Sequence, residues 1–209
     1  MKYIVKGTEP QELTDFKADA TPDWTPSYDG LTRVAKNAVK ESLLQEQGYI
    51  CCYCERRIAD RTSHIEHFNP QERGEVDPLD FSNMLCSCQQ KLKKGDPRHC
   101  GNLKDNWFDD TLLVSPLSST CESKFGFKGD GTIYPIDENE AAKITIRKLG
   151  LDIRKLNALR ESAIKPFLDD TLSDEEFRLF VEGYLRLSSD GKYNPFPTTI
   201  EHIFLGLIA

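Results

Sequence analysis

Apolar side chains recur at helical spacing in two separate parts of the chain. Between Leu31 and Leu43 they lie three or four positions apart, and Gly48 then provides a stop. In the last third of the chain the same spacing predicts four helices, over 139–149, 152–168, 173–187 and 198–208. The pattern therefore predicts one N-terminal helix and a C-terminal helical bundle.

Two of the C-terminal helices begin with the signature of a capping box, in which a hydroxyl and a carboxylate bind free amides of the first turn. Ser173 with Glu176 predicts one such start, and Thr198 with Glu201 predicts the other. Each pair lies at the beginning of an apolar run. Both pairs therefore favour a helix boundary.

The remaining parts of the chain show little periodicity. Residues 1–30 carry three prolines among scattered polar residues, which predicts an irregular arm with a short initial strand. Residues 49–135 are rich in Cys, Gly, Pro and Asn, which predicts short strands held together by a metal. We therefore divide the chain into an arm and helix (1–48), a core (49–135) and a helical region for docking a partner (136–209). The expected fold class is α+β.

The composition is that of a soluble globular protein. The 209 residues are 38% hydrophobic and 29% charged, and the mean hydropathy is −0.52. No apolar run approaches the length of a membrane span, and the first residues lack the apolar stretch of a signal peptide. These observations predict a cytoplasmic protein, whose thiols are kept reduced.

Six of the seven cysteines lie in one quarter of the chain, together with three of the four histidines. The CxxC spacing of the first cysteines allows two thiolates to bind one tetrahedral zinc ion, and later cysteines can complete the site. The predicted ligands of this structural zinc are Cys51, Cys54, Cys88 and Cys100. The alternatives are ordinary buried thiols, a redox-active CxxC pair, or the replacement of one ligand by Cys52 or Cys86.

The net charge of −7 does not favour a nucleic-acid-binding protein, because phosphate backbones are bound largely through Lys and Arg. The segment 91–98 is basic against this background. Four of its side chains are candidate nucleic-acid contacts: Lys91, Lys93, Lys94 and Arg98. A solvated lysine loop without a ligand explains the segment equally well. A partner subunit that supplies the binding surface is the other way to compensate the charge.

The segment 63–70 carries the side chains most suited to catalysis. Glu66 directly precedes His67, and a proline follows three positions later. This order can place a metal-binding carboxylate beside a general base, provided that a bend brings the two together, since neighbours on a regular strand point to opposite faces. Asn83 follows at a hairpin-like distance, and Asn102 and Asp105 lie where a helix should start.

This order of motifs resembles the HNH endonuclease family. The shared pattern is a CxxC pair, Glu-His-x-x-Pro, an asparagine, a cysteine and then Cys-x-x-x-Lys. Within the family the chain especially resembles the PtuB-type HNH proteins of retron and Septu anti-phage systems, over most of its length after the first helix. The blocks that carry this resemblance are Cys54-Glu55, 64–68, 83–89, 99–101, 115–117, 121–125, 131–133 and 149–160.

The resemblance implies a ββα-metal (HNH) core pinned by the structural zinc. It also implies that His67 is the general base, that Glu66 holds a catalytic Mg²⁺ or another divalent ion, and that Asn83 orients the loop that aims the base. Lys104 would contact the phosphate backbone or remain solvated.

One position departs from the family pattern. Many members carry an Asn or His directly after the last zinc cysteine, where it completes the catalytic metal site, whereas this chain has Gly101. Asn102 is the first candidate to replace that ligand, followed by Asp105 and then by His99. His64 is interpreted as a structural residue of the hairpin.

The resemblance also implies partners. PtuB-type proteins pair with an ATPase called PtuA, so the chain is expected to be the nuclease of an anti-phage complex with a PtuA-like ATPase, a retron reverse transcriptase and its RNA–DNA product. The target would be DNA or RNA. The competing hypothesis is a non-catalytic, zinc-stabilised scaffolding subunit. Glu66 beside His67 argues against it, because a purely structural zinc knuckle needs neither residue.

Overall fold

Two helices form the N-terminal part of the molecule and pack on each other. The computed structural model describes residues 1–92, 94–168 and 171–207. The two helices are α1 (Gln11–Ala18) and α2 (Arg33–Glu46). α2 confirms the N-terminal helix predicted from the sequence, whereas α1 and the absence of a strand from residues 1–10 correct the expected arm. Only Leu13 and Phe16 of α1 are buried, which is too short an apolar stripe to be recognised in the sequence.

A β-hairpin and a one-turn helix form the centre of the molecule. They are β1 (Ser63–His67), β2 (Met84–Cys88) and α3 (Gly101–Lys104). β1 and β2 pair antiparallel, with the first residue of each strand opposite the last residue of the other. β2 is buried along its whole length, because α2 packs against it. Small sheets among helices confirm the α+β fold class.

A second, shorter hairpin and four helices follow. They are β3 (Phe125–Phe127), β4 (Ile133–Pro135), α4 (Glu140–Leu149), α5 (Arg154–Ile164), α6 (Asp174–Leu185) and α7 (Pro197–Phe204). The four helices confirm the C-terminal helices predicted from the spacing, to within a few residues at each end. Position 208, where the last predicted helix ends, lies outside the described residues. In the described part of the chain, no helix is both long and apolar enough to traverse a bilayer.

The predicted capping box of α6 is confirmed and that of α7 is wrong. Ser173 Oγ accepts a hydrogen bond from Glu176 N, and the Glu176 carboxylate accepts one from Ser173 N at 2.9 Å. α7 begins one residue before Thr198, which therefore lies in its first turn. The Thr198 hydroxyl donates to the buried carboxylate of Glu55 at 2.5 Å. A tertiary contact thus replaces the local cap.

Two groups of apolar side chains form the core. The larger group joins α1, α2, the cysteine-rich segment, both hairpins, α4 and the start of α5. The smaller group joins Ile164, Phe167, Val181, Ile200 and Phe204 at the C-terminal helices. The cysteine-rich segment therefore lies within the main core.

Candidate active site and metal centre

Four cysteines from three chain segments converge next to the central hairpin. Cys51 and Cys54 lie in a turn after α2, Cys88 ends β2, and Cys100 directly precedes α3. Their Sγ atoms all lie within 4.8 Å of one another, and all four side chains are buried. Cys54 Sγ and Cys88 Sγ are 3.8 Å apart. Zinc–sulfur bonds of about 2.3 Å in a tetrahedral site require a separation of about 3.8 Å, so this donor set fits a structural zinc ion.

Hydrogen bonds within the cluster lower the pKa of the Cys51 thiol. Burial raises the pKa of Cys51, but hydrogen bonds from neighbouring thiols lower it more, so that its pKa lies well below the usual range. Cys88 N also donates to Cys51 Sγ at 3.4 Å. The thiolate, which is the form that binds zinc, is therefore favoured at Cys51.

Cys86 and His99 lie beside the cluster with different roles. Burial raises the pKa of the Cys86 thiol to about 12, which keeps it a neutral packing residue. His99 Nδ1 lies 3.2 Å from Cys100 Sγ and 3.6 Å from Cys88 Sγ, so its ring faces the cysteines. His99 therefore accompanies the structural site, which corrects its place among the candidate ligands of the catalytic ion.

Glu66 projects from β1 into the interior, where three side chains hold its carboxylate. Lys104 Nζ lies 3.0 Å from Oε1, the Tyr53 hydroxyl donates to the same oxygen at 3.2 Å, and His64 Nε2 lies 3.4 Å from Oε2. Burial raises the pKa of Glu66, but the contacts with His64 and Lys104 lower it more, so it lies below its usual value. The carboxylate is thus ionised, with one oxygen engaged by Lys104 and Tyr53 and the other facing His64.

Lys104 lies in the interior, which corrects the expectation that it contacts phosphate or is solvated. Its side chain is only 1% exposed. In addition to the Glu66 contact, Nζ donates to His67 O at 3.2 Å and to Asp105 O at 3.3 Å. Three oxygen acceptors within the fold satisfy this ammonium group. Lys104 therefore positions Glu66 and the end of β1.

The substitution Lys104→Met is expected to lower the free energy of unfolding by about 3–5 kcal/mol, because it leaves buried Glu66 without its cation. Lys143→Met is the control. Lys143 is 61% exposed and pairs with Glu140 on the surface of α4, so its loss should cost at most about 1 kcal/mol. Urea unfolding followed by circular dichroism gives both values. Equal costs for the two variants would contradict a stabilising buried pair.

His67 ends β1 with one ring nitrogen held by the backbone. Nε2 lies 2.9 Å from Pro78 O, and since a carbonyl oxygen only accepts, Nε2 carries the proton and Nδ1 the lone pair. The described residues supply no hydrogen-bond partner for Nδ1. Tyr28 packs edge-on against the ring, with 4.6 Å between centroids. Burial lowers the pKa of His67 below its usual value, which favours the neutral ring that can accept a proton.

Asn83 braces the loop that follows His67. Its Oδ1 accepts from Asn69 N, and its Nδ2 donates to Asn69 O, both at 2.8 Å. Asn83 O also accepts from Phe68 N at 2.9 Å. These bonds fix the backbone immediately after His67, as an orienting residue should.

The absence of a side chain at Gly101 leaves room for Glu66 and His64. A Cβ atom built at position 101 would collide with Glu66 Oε2 and would lie 2.9 Å from His64 Nε2, which is too close for a real side chain. His64, interpreted from the sequence as a hairpin residue, is therefore a candidate metal ligand. The signal that could have identified it is its two-residue spacing from Glu66, which places both side chains on one face of a strand.

Asn102 and Asp105 are the other candidates for the metal ligand that Gly101 cannot supply. Asn102 Nδ2 donates to Gln89 O at 2.7 Å, which ties the nitrogen of its amide to the residue after β2, and Asn102 stays a predicted ligand through its amide oxygen. Asp105 is exposed at the edge of a cleft of about 170 Å³ that Glu66 and His67 also line. Asp105 therefore stays a candidate for an outer ligand.

Most of the predicted basic segment is open to solvent. Lys91, Lys94 and Arg98 are exposed, and Lys93 lies outside the described residues. Lys91 lines a cleft with cations that lie outside the predicted basic segment, among them Arg56 and Arg57. The sequence signal for these two cations is their adjacency, one residue beyond the CxxC turn.

Two proteins of bacterial retrons are similar in sequence to this chain. It is 30% identical to the proposed HNH endonuclease of retron Vc95 from Vibrio cholerae serotype O1 biovar El Tor, over 62% of this chain and 65% of that protein. It is 29% identical to the proposed HNH endonuclease of retron Ec83 from Escherichia coli, over 46% of this chain and 40% of that protein. The chain thus spans less than two thirds of either relative. No protein-family model matches it.

Proposed function

We propose that this chain belongs to the HNH endonucleases of retrons and that it hydrolyses the phosphodiester bonds of DNA or RNA. The observation that carries the proposal is the placement of His67 and Glu66 in one cleft at the end of β1, beside α3. The two retron relatives support the same activity. In this proposal β1, β2 and α3 are the ββα-metal core of the family.

His67 is the general base in this proposal. The hydrogen bond from Nε2 to Pro78 O holds the ring in one tautomer, so that Nδ1 can take a proton from the attacking water. Asn83 holds the following loop, and Tyr28 supports one edge of the ring. The base is therefore aimed before the substrate arrives, which lowers the entropic cost of reaching the reactive geometry.

Glu66 and His64 would hold the catalytic divalent ion. Glu66 Oε2 and His64 Nε2 are 3.4 Å apart, close to the separation of about 3 Å between adjacent ligands on one cation with bonds of about 2.1 Å. Oε1 is engaged by Lys104 and Tyr53, so Oε2 is the oxygen that remains for an ion. When bound, the ion stabilises the negative charge on the phosphate and on the leaving oxygen. An imidazole beside a carboxylate admits Mn²⁺ as well as Mg²⁺.

The four cysteines would hold a zinc ion with a structural role. They join the turn after α2, the end of β2 and the start of α3. The end of α3 carries Lys104, which holds Glu66. The cysteine site would thereby fix the position of α3 relative to β1, and with it the contact between Lys104 and Glu66.

The dependence of cleavage on a divalent ion tests the proposal. Purified protein should cleave plasmid DNA or total RNA with Mg²⁺ or Mn²⁺, and EDTA should stop the cleavage. His64→Ala should raise the ion concentration needed for half-maximal cleavage by at least about 10-fold, because it removes one of the two proposed ligands. Thermal unfolding checks that the variant is folded.

His202→Ala is the matched control for this titration. His202 is an exposed histidine of α7 whose ring contacts the Tyr134 hydroxyl at 3.3 Å, outside the cleft. It should leave the ion requirement unchanged. An unchanged requirement in His64→Ala would remove His64 from the ligand set, and an inactive wild-type protein in the presence of its partner complex would contradict the nuclease itself.

The proposal extends to an anti-phage complex in which this chain is the nuclease. A PtuA-like ATPase and a retron reverse transcriptase with its RNA–DNA product are the proposed partners. The retron origin of both relatives supports this assembly, and a net charge of −7 supports dependence on a subunit that helps to hold the nucleic acid. The region 136–209 is the proposed docking region, because it exposes Leu168, Leu179, Phe180 and Leu187.

A further inference from the structure

A cleft of about 250 Å³ lies beyond the end of β1 opposite to His67. Arg61 and Thr62, which directly precede β1, and Gln89 and Gln90, which directly follow β2, form one of its walls. Its charged lining comes from four separate segments: Arg56 and Arg57, Arg61, Lys91 and Asp96, and Lys155. We call this the basic cleft, because it gathers five cations and one carboxylate in a chain whose net charge is −7.

Most of these cations have no carboxylate partner in the part of the chain that the structure describes. Lys155 Nζ lies 3.7 Å from Asp96 Oδ1. Of the ion pairs between described residues, none includes Arg56, Arg57, Arg61 or Lys91. Cations gathered in this way repel one another, and an anion from outside would relieve the repulsion. The basic cleft therefore has the electrostatics of an anion-binding site.

The five cations differ in how much of their charge is already used. Arg56 and Lys155 are half-buried, and Lys155 pairs with Asp96. Arg57, Arg61 and Lys91 are exposed to solvent, so their charge remains available for another partner.

The chemistry of the lining favours a phosphate backbone over an acidic protein. Every residue that lines the basic cleft is charged or polar, whereas a protein interface usually has an apolar centre. Guanidinium groups match phosphate oxygens with two parallel hydrogen bonds, which makes arginine the preferred residue for nucleic-acid backbones.

The position of the basic cleft suits the proposed cleavage site. The five residues of β1 separate the two, which corresponds to roughly 13 Å at about 3.3 Å per residue. A duplex carries one phosphate per strand for about every 3.4 Å of its axis, so this distance spans about four phosphates. We propose that the basic cleft binds the backbone of the nucleic acid cut at His67, about four phosphates from the scissile bond. This inference rests on the proposed nuclease function.

The test compares two triple variants of the full chain. One variant, Arg57→Gln with Arg61→Gln and Lys91→Gln, neutralises the exposed cations of the basic cleft. The control variant changes the net charge by the same amount on other surfaces, through Lys128→Gln, Lys143→Gln and Arg186→Gln. Fluorescence anisotropy measures binding to a labelled 30-base-pair DNA duplex and to a labelled single-stranded RNA over a range of salt concentrations, without added Mg²⁺ or Mn²⁺, so that no cleavage occurs while the structural zinc stays bound.

The basic-cleft variant should bind at least about 10-fold more weakly at low salt, and its slope of log K against log salt on the duplex should fall by about 2–3, since each phosphate contact contributes about 0.9. The control variant should keep the wild-type slope. Both variants should keep the wild-type zinc content, which excludes a loss of the cysteine site as the cause.

Three results would overturn the basic cleft as a backbone site: equal slopes for the two triple variants, loss of zinc from the basic-cleft variant, or no binding by the wild type at low salt. The proposal would also be overturned if the basic-cleft variant no longer assembled with the partner complex but kept the wild-type salt slope. That result would assign the basic cleft to an acidic protein surface. Cleavage by the wild type separates this proposal from the nuclease. If the wild type does not cleave but the slopes differ as expected, the basic cleft is a backbone site and the nuclease function is contradicted. If the wild type cleaves but the two triple variants have equal slopes, the nuclease function is supported and the basic cleft is not a backbone site.

Discussion

Replacement of His67 by alanine is expected to lower the rate of phosphodiester cleavage by about 10²–10⁴-fold, the usual contribution of a positioned general base. The loss should appear in the maximal rate, because the nucleic acid and the divalent ion bind through other side chains. His67→Gln tests the base more narrowly. Its amide nitrogen lies about where Nε2 of the imidazole lies, so it can still donate to Pro78 O, as the imidazole does at 2.9 Å, but it has no basic nitrogen.

The measurement is a cleavage rate on plasmid DNA and on RNA at a saturating divalent-ion concentration, with thermal unfolding to show that each variant is folded. His202→Ala serves again as the control histidine and should cleave at the wild-type rate. If both His67 variants also cleave at that rate, the general base lies elsewhere in the cleft.

Cys88→Ala is expected to abolish zinc binding and cooperative unfolding. A structural zinc ion contributes roughly 10–16 kcal/mol of binding free energy in small zinc domains, whereas a whole protein is stable by about 5–15 kcal/mol. Loss of one of four thiolates removes much of that contribution. Since Cys88 ends β2, the hairpin that carries Glu66 should lose its order with the zinc.

Cys86→Ala is a closely matched control for this variant. Cys86 lies two residues earlier on β2 and is equally buried, but it lies outside the group of four cysteines. It should retain about one zinc ion per chain, the stoichiometry of a four-cysteine site. Elemental analysis and differential scanning calorimetry make the comparison. Equal zinc content in the two variants would exclude Cys88 as a ligand.

The helices that the sequence predicts are those that carry their own signals. α6 has an apolar stripe and a complete capping box at Ser173 and Glu176, so residues close together in the sequence determine where it starts. α1 carries only Leu13 and Phe16 as buried residues, and it depends on packing against α2. The cap expected at Thr198 fails for the same reason, because distant Glu55 takes its hydroxyl.

The residues of the candidate site likewise fall into those that local sequence signals predict and those that depend on tertiary packing. Spacing and residue type are local facts, and they single out the four cysteines that the structure brings together. The choice among Asn102, Asp105 and His64 depends on how closely α3 approaches β1. The spacing of His64 and Glu66 places both side chains on one face of β1, but it does not record that approach. The buried position of Lys104 depends on that approach as well. The basic cleft was missed because its arginines and lysines come from segments far apart in the chain.

The close approach of position 101 to His64 leads us to expect that these two positions covary among homologues. A homologue with a side chain at position 101 must have a smaller residue at position 64 or a displaced Glu66, because the three side chains would overlap. Homologous sequences should therefore separate into two lineages. One carries glycine on the helix and histidine on the strand, and the other carries a ligand on the helix and a smaller residue on the strand. In each lineage the ion would keep its place while the element that donates the ligand changes.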